Sequence, residues 1–279
     1  SLGTVEAVAS DAMKQARAQA ASLAGISTLS HGNTTFYGTV RTDALTGINV
    51  GTSNDGTVVT NGSAILRGPA LSVSGDPKVY GRGVFRLKTD VASLTVVGGR
   101  GVDIDNTAHS GQLVINALGR ISPETTLPGG EVAEATNMPI GGFRIRSRDI
   151  KLLSLDNRTQ QTWQYDGAGT SGNRQDFVFE ADRLEVVPGT IKTRANTLVH
   201  LRPLTSSRKI VVGHETSHAD TTVTYYSGGP FGLLGMLHPE SKVYIGNYGE
   251  QTGYTGDIVL GGTTDVVDLD KQISLGSME

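Results

Sequence analysis

Val84-Phe85-Arg86-Leu87, Leu94-Thr95-Val96-Val97, Val102-Asp103-Ile104 and Leu113-Val114-Ile115 are four short apolar or β-branched runs separated by polar corners. The pattern extends toward the N-terminus through Thr39-Val40, Ile48-Asn49-Val50, Thr57-Val58-Val59-Thr60, Ala64-Ile65-Leu66 and Leu71-Ser72-Val73. Runs recur about every 7–10 residues, and Gly, Asn, Asp and Ser fill the corners. Residues of this kind fit a pleated, half-buried surface. Runs so short and so frequent predict stacked β-rungs, with three runs making a turn of about 20–25 residues, in the range of solenoid repeats. At the ordinary strand spacing of roughly 4.8 Å, about ten rungs make a rod on the order of 50 Å long. Inward Val, Ile and Leu then stack on their equivalents above and below. The alternative is an antiparallel β-sandwich, because Asp55-Gly56 and Asn61-Gly62 are hairpin dipeptides. Sandwich strands are ordinarily longer than these runs.

Composition narrows the function classes. The 279 residues suffice for a large core, and 37 glycines with few aromatics favour turns over helices. A net charge of −3 supplies no basic face for nucleic acid. No apolar run reaches the roughly 18 residues of a membrane span. The absence of cysteine removes disulfide, thiol-nucleophile and Cys-zinc chemistry together. The start at Ser1, without a charged-then-apolar leader, reads as a processed form or an excised piece. Ser1-Leu2-Gly3-Thr4-Val5-Glu6 is echoed by Ser274-Leu275-Gly276-Ser277-Met278-Glu279, as in one unit cut in phase from a tandem array. Coincidence in a Ser/Gly-rich chain is the plainer explanation.

Residues 4–24 carry the one helical pattern: Val5, Val8, Ala12, Met13, Ala16, Ala20 and Leu23 share a face, and Gly25 sits where a helix stops. A stripe made mostly of alanine cannot stand alone in water. It is expected to cap the open end of the stack. The expected organisation is a capping helix in 1–28, stacked rungs over 29–273, and a tail or the start of a next unit at 274–279. Excursions are expected at 122–142, 156–176 and 213–241, the first rich in Pro and Gly. Between and after them Phe143-Arg144-Ile145, Leu152 to Leu155, Phe177-Val178-Phe179, Leu184 to Val187, Ile191, Leu198 to Leu201, Ile210 to Val212, Val243-Tyr244-Ile245, Ile258 to Leu260 and Val266 to Leu269 return to strand character.

The segment Asn196-Thr197-Leu198-Val199-His200-Leu201-Arg202-Pro203-Leu204-Thr205-Ser206-Ser207-Arg208-Lys209-Ile210-Val211-Val212-Gly213 resembles a unit of filamentous-haemagglutinin-like large secreted proteins, the two-partner-secretion type. Its continuation is Leu233, Leu234, Leu237, Ser241, Val243, Ile245-Gly246 and Thr255-Gly256-Asp257-Ile258-Val259. The Gln164-Tyr165-Asp166-Gly167 corner before Phe177 is similar to another corner of those chains. The resemblance covers roughly residues 160–270. It implies a right-handed parallel β-helix, secretion, and adhesive or structural work at a cell surface. It carries over no catalytic residue. The long excursions and the N-terminal helix depart from a plain filament shaft.

Several constellations invite chemistry. His214-Glu215-Thr216-Ser217-His218 spells HExxH, which binds zinc only when both histidines share a helical face. Gly213 before it and the Thr/Ser-rich residues around it make a poor helix, so a polar loop is expected, and His214 and His218 stand as weak metal candidates. Gly98-Gly99-Arg100-Gly101-Val102-Asp103-Ile104-Asp105-Asn106 approaches a calcium β-roll nonapeptide, but one copy does not make a roll. Inward Val102 and Ile104 with outward Asp103 and Asp105 is the simpler reading. Arg144, Arg146, Arg148 and Lys151 alternate with apolar residues; Arg144 and Arg146 would share one face, either solvated or set to bind an acidic glycan. Trp163 and Tyr165, on a Gly-rich excursion, are the aromatic binding candidates, with folding back onto the rod as the alternative.

The function expected is a non-enzymatic structural or adhesive segment of a large extracellular or cell-surface protein, with no cofactor. Its partners would be a cell-surface glycan or protein and, head to tail, its own kind. A carbohydrate-active enzyme or a tailspike-like polysaccharide binder on the same scaffold is the competing class, since such enzymes need acids converging on one sheet face.

Overall fold

Alternating apolar residues build two long ladders of parallel strands. The computed structural model describes residues 5–7, 25–30, 32–52, 56–75, 83–97, 101–118, 125–126, 132–133, 142–156, 175–193, 197–213, 222–227, 232–247, 253–260 and 272–276. In the first ladder, strands Thr34–Phe36, Thr57–Thr60, the first half of Val84–Val96, Gly101–Asp105, Gly142–Arg146, Gln175–Glu180, Thr197–Arg202, Lys242–Gly246 and Gln272–Gly276 each lie parallel to the next. Val58, Phe85, Val102, Phe143, Phe177, Val199 and Val243 stand in register along it. Leu87, Ile104, Ile145, Phe179, Leu201 and Ile245 form a second column, whose side chains point inward.

The second ladder uses Ile26–Ser30, Ile48–Thr52, Leu66–Gly75, the second half of Val84–Val96, Gln112–Leu118, Asp149–Asp156 and then Arg183–Val186 with Ile191–Lys192. Its columns are equally continuous. Ile26, Ile48, Leu71, Leu94, Ile115, Leu152 and Val186 form one. Thr28, Val50, Val73, Val96, Ala117, Leu155 and Ile191 form another. The buried members of these four columns belong to one hydrophobic cluster. Burying a side chain of this size is worth about 1.5–3 kcal/mol, and a one-residue slip would turn a whole column outward. Register is therefore fixed at every rung. The ladders are parallel throughout, whereas the sandwich alternative needs antiparallel hairpins.

Where the chain passes between ladders, polar groups inside need partners. Asn106 supplies them at one corner: its Oδ1 accepts from Thr89 Oγ1 at 2.7 Å and Val91 N at 3.0 Å, and its Nδ2 donates to Val91 O at 3.1 Å. A third, shorter sheet sets Lys209–Gly213 between Val223–Ser227 and Ile258–Leu260, all parallel.

Two expectations change. Val5–Ala7, expected to open a helix, is a strand in register with Val40–Thr42; pairing to an available sheet edge outweighs local helix preference. The rest of that expected helix lies outside the described residues. Inside the expected excursion 213–241, Val223–Ser227 joins the third sheet and Leu233–Met236 forms a helical turn. Thr224 and Tyr226 face inward and are buried, so this segment alternates as a strand does. The expected strand at Val266 to Leu269 and the 156–176 excursion beyond Asp156 and before Gln175 lie outside the described residues. No helix among the described residues is long and apolar enough to cross a membrane.

Candidate functional site

The outward face of the first ladder carries a column of alternating charge: Lys88, Asp105, Arg146, Glu180 and Arg202 stand in register on successive strands. Opposite charges at one rung spacing attract, so the column favours the in-register stack. Its centre is Glu180, which is 2% exposed. Arg144 Nε donates to Glu180 Oε1 at 2.7 Å, and Arg202 Nη2 lies 3.0 Å from Oε2. Arg146 Nε is 3.2 Å from Oε2, while its Nη1 reaches Asp105 Oδ2 at 3.4 Å. Burial pushes the Glu180 carboxyl up, but Arg202 and Arg144 more than offset this and hold it below the ordinary 4.5. Glu180 is thus an ionised acceptor, not a proton donor. Arg144 and Arg146, expected on one face, do share it, and there both guanidiniums close on Glu180.

His200 occupies the adjacent outward column, between Val178 and Tyr244. It is 1% exposed, and its Nε2 lies 2.7 Å from Gly246 O, so Nε2 carries the proton and donates. Burial lowers its pKa, partly opposed by that hydrogen bond. The ring is neutral and structural.

A cleft of about 640 Å³ opens on the second ladder, lined by Arg41, Thr42, Asp43, Leu45, Arg67, Gly68, Pro69 and Asp90. Its origin is a mismatch of rung length. Strand Leu66–Gly75 pairs first with Val40 and Arg41, through Leu66 and Arg67, and then with Ile48–Thr52, through Leu71–Gly75. Seven positions separate Arg41 from Ile48, against four from Arg67 to Leu71, so three extra residues stand out from the stack. Ala44 is buried beneath this projection, and Leu45 stands 72% exposed on its crest. Gly47 returns the chain with φ +67°, and a Cβ there would lie 2.0 Å from Ala70 O, so glycine is required.

Charged groups crowd the cleft. Arg41 and Arg67 are register partners, and Arg67 is also partner to Asp90. Arg41 Nη2 lies 3.8 Å from Asp43 Oδ1 and Arg67 Nε lies 3.6 Å from Asp90 Oδ2, ion pairs longer than a hydrogen bond, with both arginine side chains about half exposed. His109 Nδ1 lies 3.0 Å from Asp90 Oδ1 and fixes that carboxylate from its other side. Sequence reasoning picked none of these residues. The signals were the Gly68-Pro69 break inside a strand and the three surplus residues, and the second exists only once register is known.

Trp163, Tyr165, His214, Glu215 and His218 lie outside the described residues. Among the described residues, no group of three or more His, Asp or Glu side chains is placed to hold a metal ion. No protein-family model, curated protein or solved structure matches this chain. What the fold defines is a class: an all-β chain of parallel strands stacked in register.

Proposed function

We propose that this chain is a structural or adhesive segment of a large extracellular protein. In this reading it is a right-handed parallel β-helix, a rod that presents binding surfaces and joins its neighbours head to tail, akin to filamentous-haemagglutinin-like proteins. The observation that carries the reading is the unbroken parallel register from Val58 to Val243 along the first ladder. Nine strands at the usual spacing span about 40 Å. Such a stack spends its sequence on length and surface rather than on an enclosed active site. Among the described residues, Gln272–Gly276 pairs only with Lys242–Gly246, and a terminal strand's backbone invites a further strand. Trp163 and Tyr165 remain the proposed aromatic contacts. Beads coated with the purified protein should be retained on glycan-bearing cell monolayers, and small-angle scattering should return an elongated particle. A globular scattering profile, or retention no greater than for albumin-coated beads, contradicts the proposal.

The second reading is a carbohydrate-active or tailspike-like β-helix. The Asp90–His109 pair beside a cleft favours it, because a carboxylate that orients an imidazole is a common acid–base arrangement. Release of reducing ends or unsaturated sugars from a polysaccharide panel, abolished by His109→Ala, would establish it over the first.

A further inference from the structure

We infer that Asn61 is a site of spontaneous covalent modification: its side-chain amide is lost through the backbone nitrogen of Gly62, and the carboxylate left behind pairs with Lys88. The inference goes beyond the adhesive reading and does not depend on it.

The first argument is what holds each asparagine side chain. Asn33 Oδ1 accepts from Thr57 N, and Asn116 Oδ1 accepts from Ser154 Oγ. Asn106 makes its three bonds at the buried corner, and Asn247 bonds both N and O of Tyr254. Those amides are fixed in place. The Asn61 side chain is exposed and has no such partner among the described residues. Its backbone, by contrast, is held. Asn61 N donates to Phe36 O at 2.9 Å, and Asn61 O accepts from Ala64 N at 3.1 Å, which closes a turn from Asn61 to Ala64. The side chain can therefore rotate against the next amide nitrogen.

The second argument is the neighbour. Gly62 has φ +62°, and the space where a Cβ would stand is empty. A side chain there would crowd closure of a ring onto Asn61 Cγ, and glycine has none. Lys88 Nζ donates to Gly62 O at 2.8 Å, and a cation so close favours the deprotonated form of the adjoining amide. In the reaction Gly62 N gives its proton to solvent and bonds to Asn61 Cγ. The Cγ–Nδ2 bond breaks, and the side-chain nitrogen takes up a proton and leaves as ammonia. Water then opens the cyclic imide at either carbonyl, leaving aspartate or isoaspartate. Either product carries one new negative charge.

The third argument is where that charge falls. Lys88 begins the alternating column that runs on through Asp105, Arg146, Glu180 and Arg202. Thr57–Thr60 lies against the Lys88 strand on the side away from Asp105, and Asn61 follows it directly. A carboxylate at position 61 carries the alternation one rung further.

The test begins with the whole chain held in mildly alkaline buffer. Peptide mass spectrometry follows loss of the amide, and methyltransferase labelling reads isoaspartate. Asn61 should convert at least about tenfold faster than Asn49, which is also exposed but precedes Val50 within a strand. Gly62→Ala should slow conversion about tenfold, with circular dichroism showing that the variant is folded. Asn61→Asp supplies the product directly. It should raise the urea midpoint at low salt, and in a Lys88→Ala background it should not. Conversion no faster at Asn61 than at Asn49 overturns the inference, as does an undiminished rate in folded Gly62→Ala. An Asn61→Asp midpoint that is unchanged, lowered, or raised equally without Lys88 overturns it as well.

Discussion

Glu180→Ala tests how much the outward charge column contributes to the stack. The carboxylate is 2% exposed and lies within 3.2 Å of Arg144, Arg146 and Arg202. Removing one partner of a buried ion pair costs about 3–5 kcal/mol, because the other charge stays buried and uncompensated. Here three cations remain, but their side chains are 22%, 37% and 16% exposed and regain some water. The loss should therefore fall near the lower end, about 3 kcal/mol. Glu180→Gln, which keeps the shape and one acceptor, should lose less than the alanine variant. Urea denaturation followed by far-ultraviolet circular dichroism measures both. A loss under about 1 kcal/mol for Glu180→Ala would place the column among ordinary surface ion pairs and refute the reasoning. The same residue sets an acid limb. Its folded-state pKa is depressed, so its contribution is complete above the ordinary 4.5 and is lost as pH falls through the lower folded value. The acid limb below pH 4.5 should flatten in Glu180→Gln.

Phe85→Ala removes a fully buried ring from the middle of an inward column and should cost about 3–5 kcal/mol in urea unfolding. A cost under about 1 kcal/mol would mean that the column does not pack continuously. Asn106→Ala strips three side-chain hydrogen bonds from a buried corner and leaves Val91 N and O without that partner, for about 2–4 kcal/mol in the same assay. His200 has a folded pKa depressed by burial, so its contribution is present above the ordinary 6.5 and is lost as pH falls through the lower folded value. Thermal midpoints of the native chain should fall between pH 7.5 and 5.5 more steeply than those of His200→Gln, and parallel slopes would contradict the burial.

The stack was legible because its signal is local. Ile48-Asn49-Val50, Leu71-Ser72-Val73, Val102-Asp103-Ile104 and Phe177-Val178-Phe179 each announce a strand by composition and alternation, and all are strands. Outward Asp103 and Asp105 followed from the same alternation. At Val5–Ala7 the alanine-rich spacing misleads, because it cannot weigh a strand edge supplied by Val40–Thr42, a partner distant in sequence. Val223–Ser227 was hidden by its polar neighbours, though Val-Thr-Tyr-Tyr is itself a strand composition. Clustering at Glu180 and the cleft at Arg67 depend on which rung meets which. Single runs carry no such information, since Glu180 and Arg144 are 36 residues apart in the chain.

Residues far apart in sequence occupy successive rungs of the stack. Arg86 and Tyr244 are linked through Asp103, Arg144, Val178 and His200 by five in-register steps. The chain has no cysteine, so Arg86→Cys/Tyr244→Cys takes nitroxide labels at those two sites alone. Pulsed electron–electron resonance should give a single narrow distribution centred near 24 Å, allowing a few ångströms for the label arms. A distribution centred beyond roughly 35 Å, or one broad across the whole range, would mean that the rungs do not stack in this order.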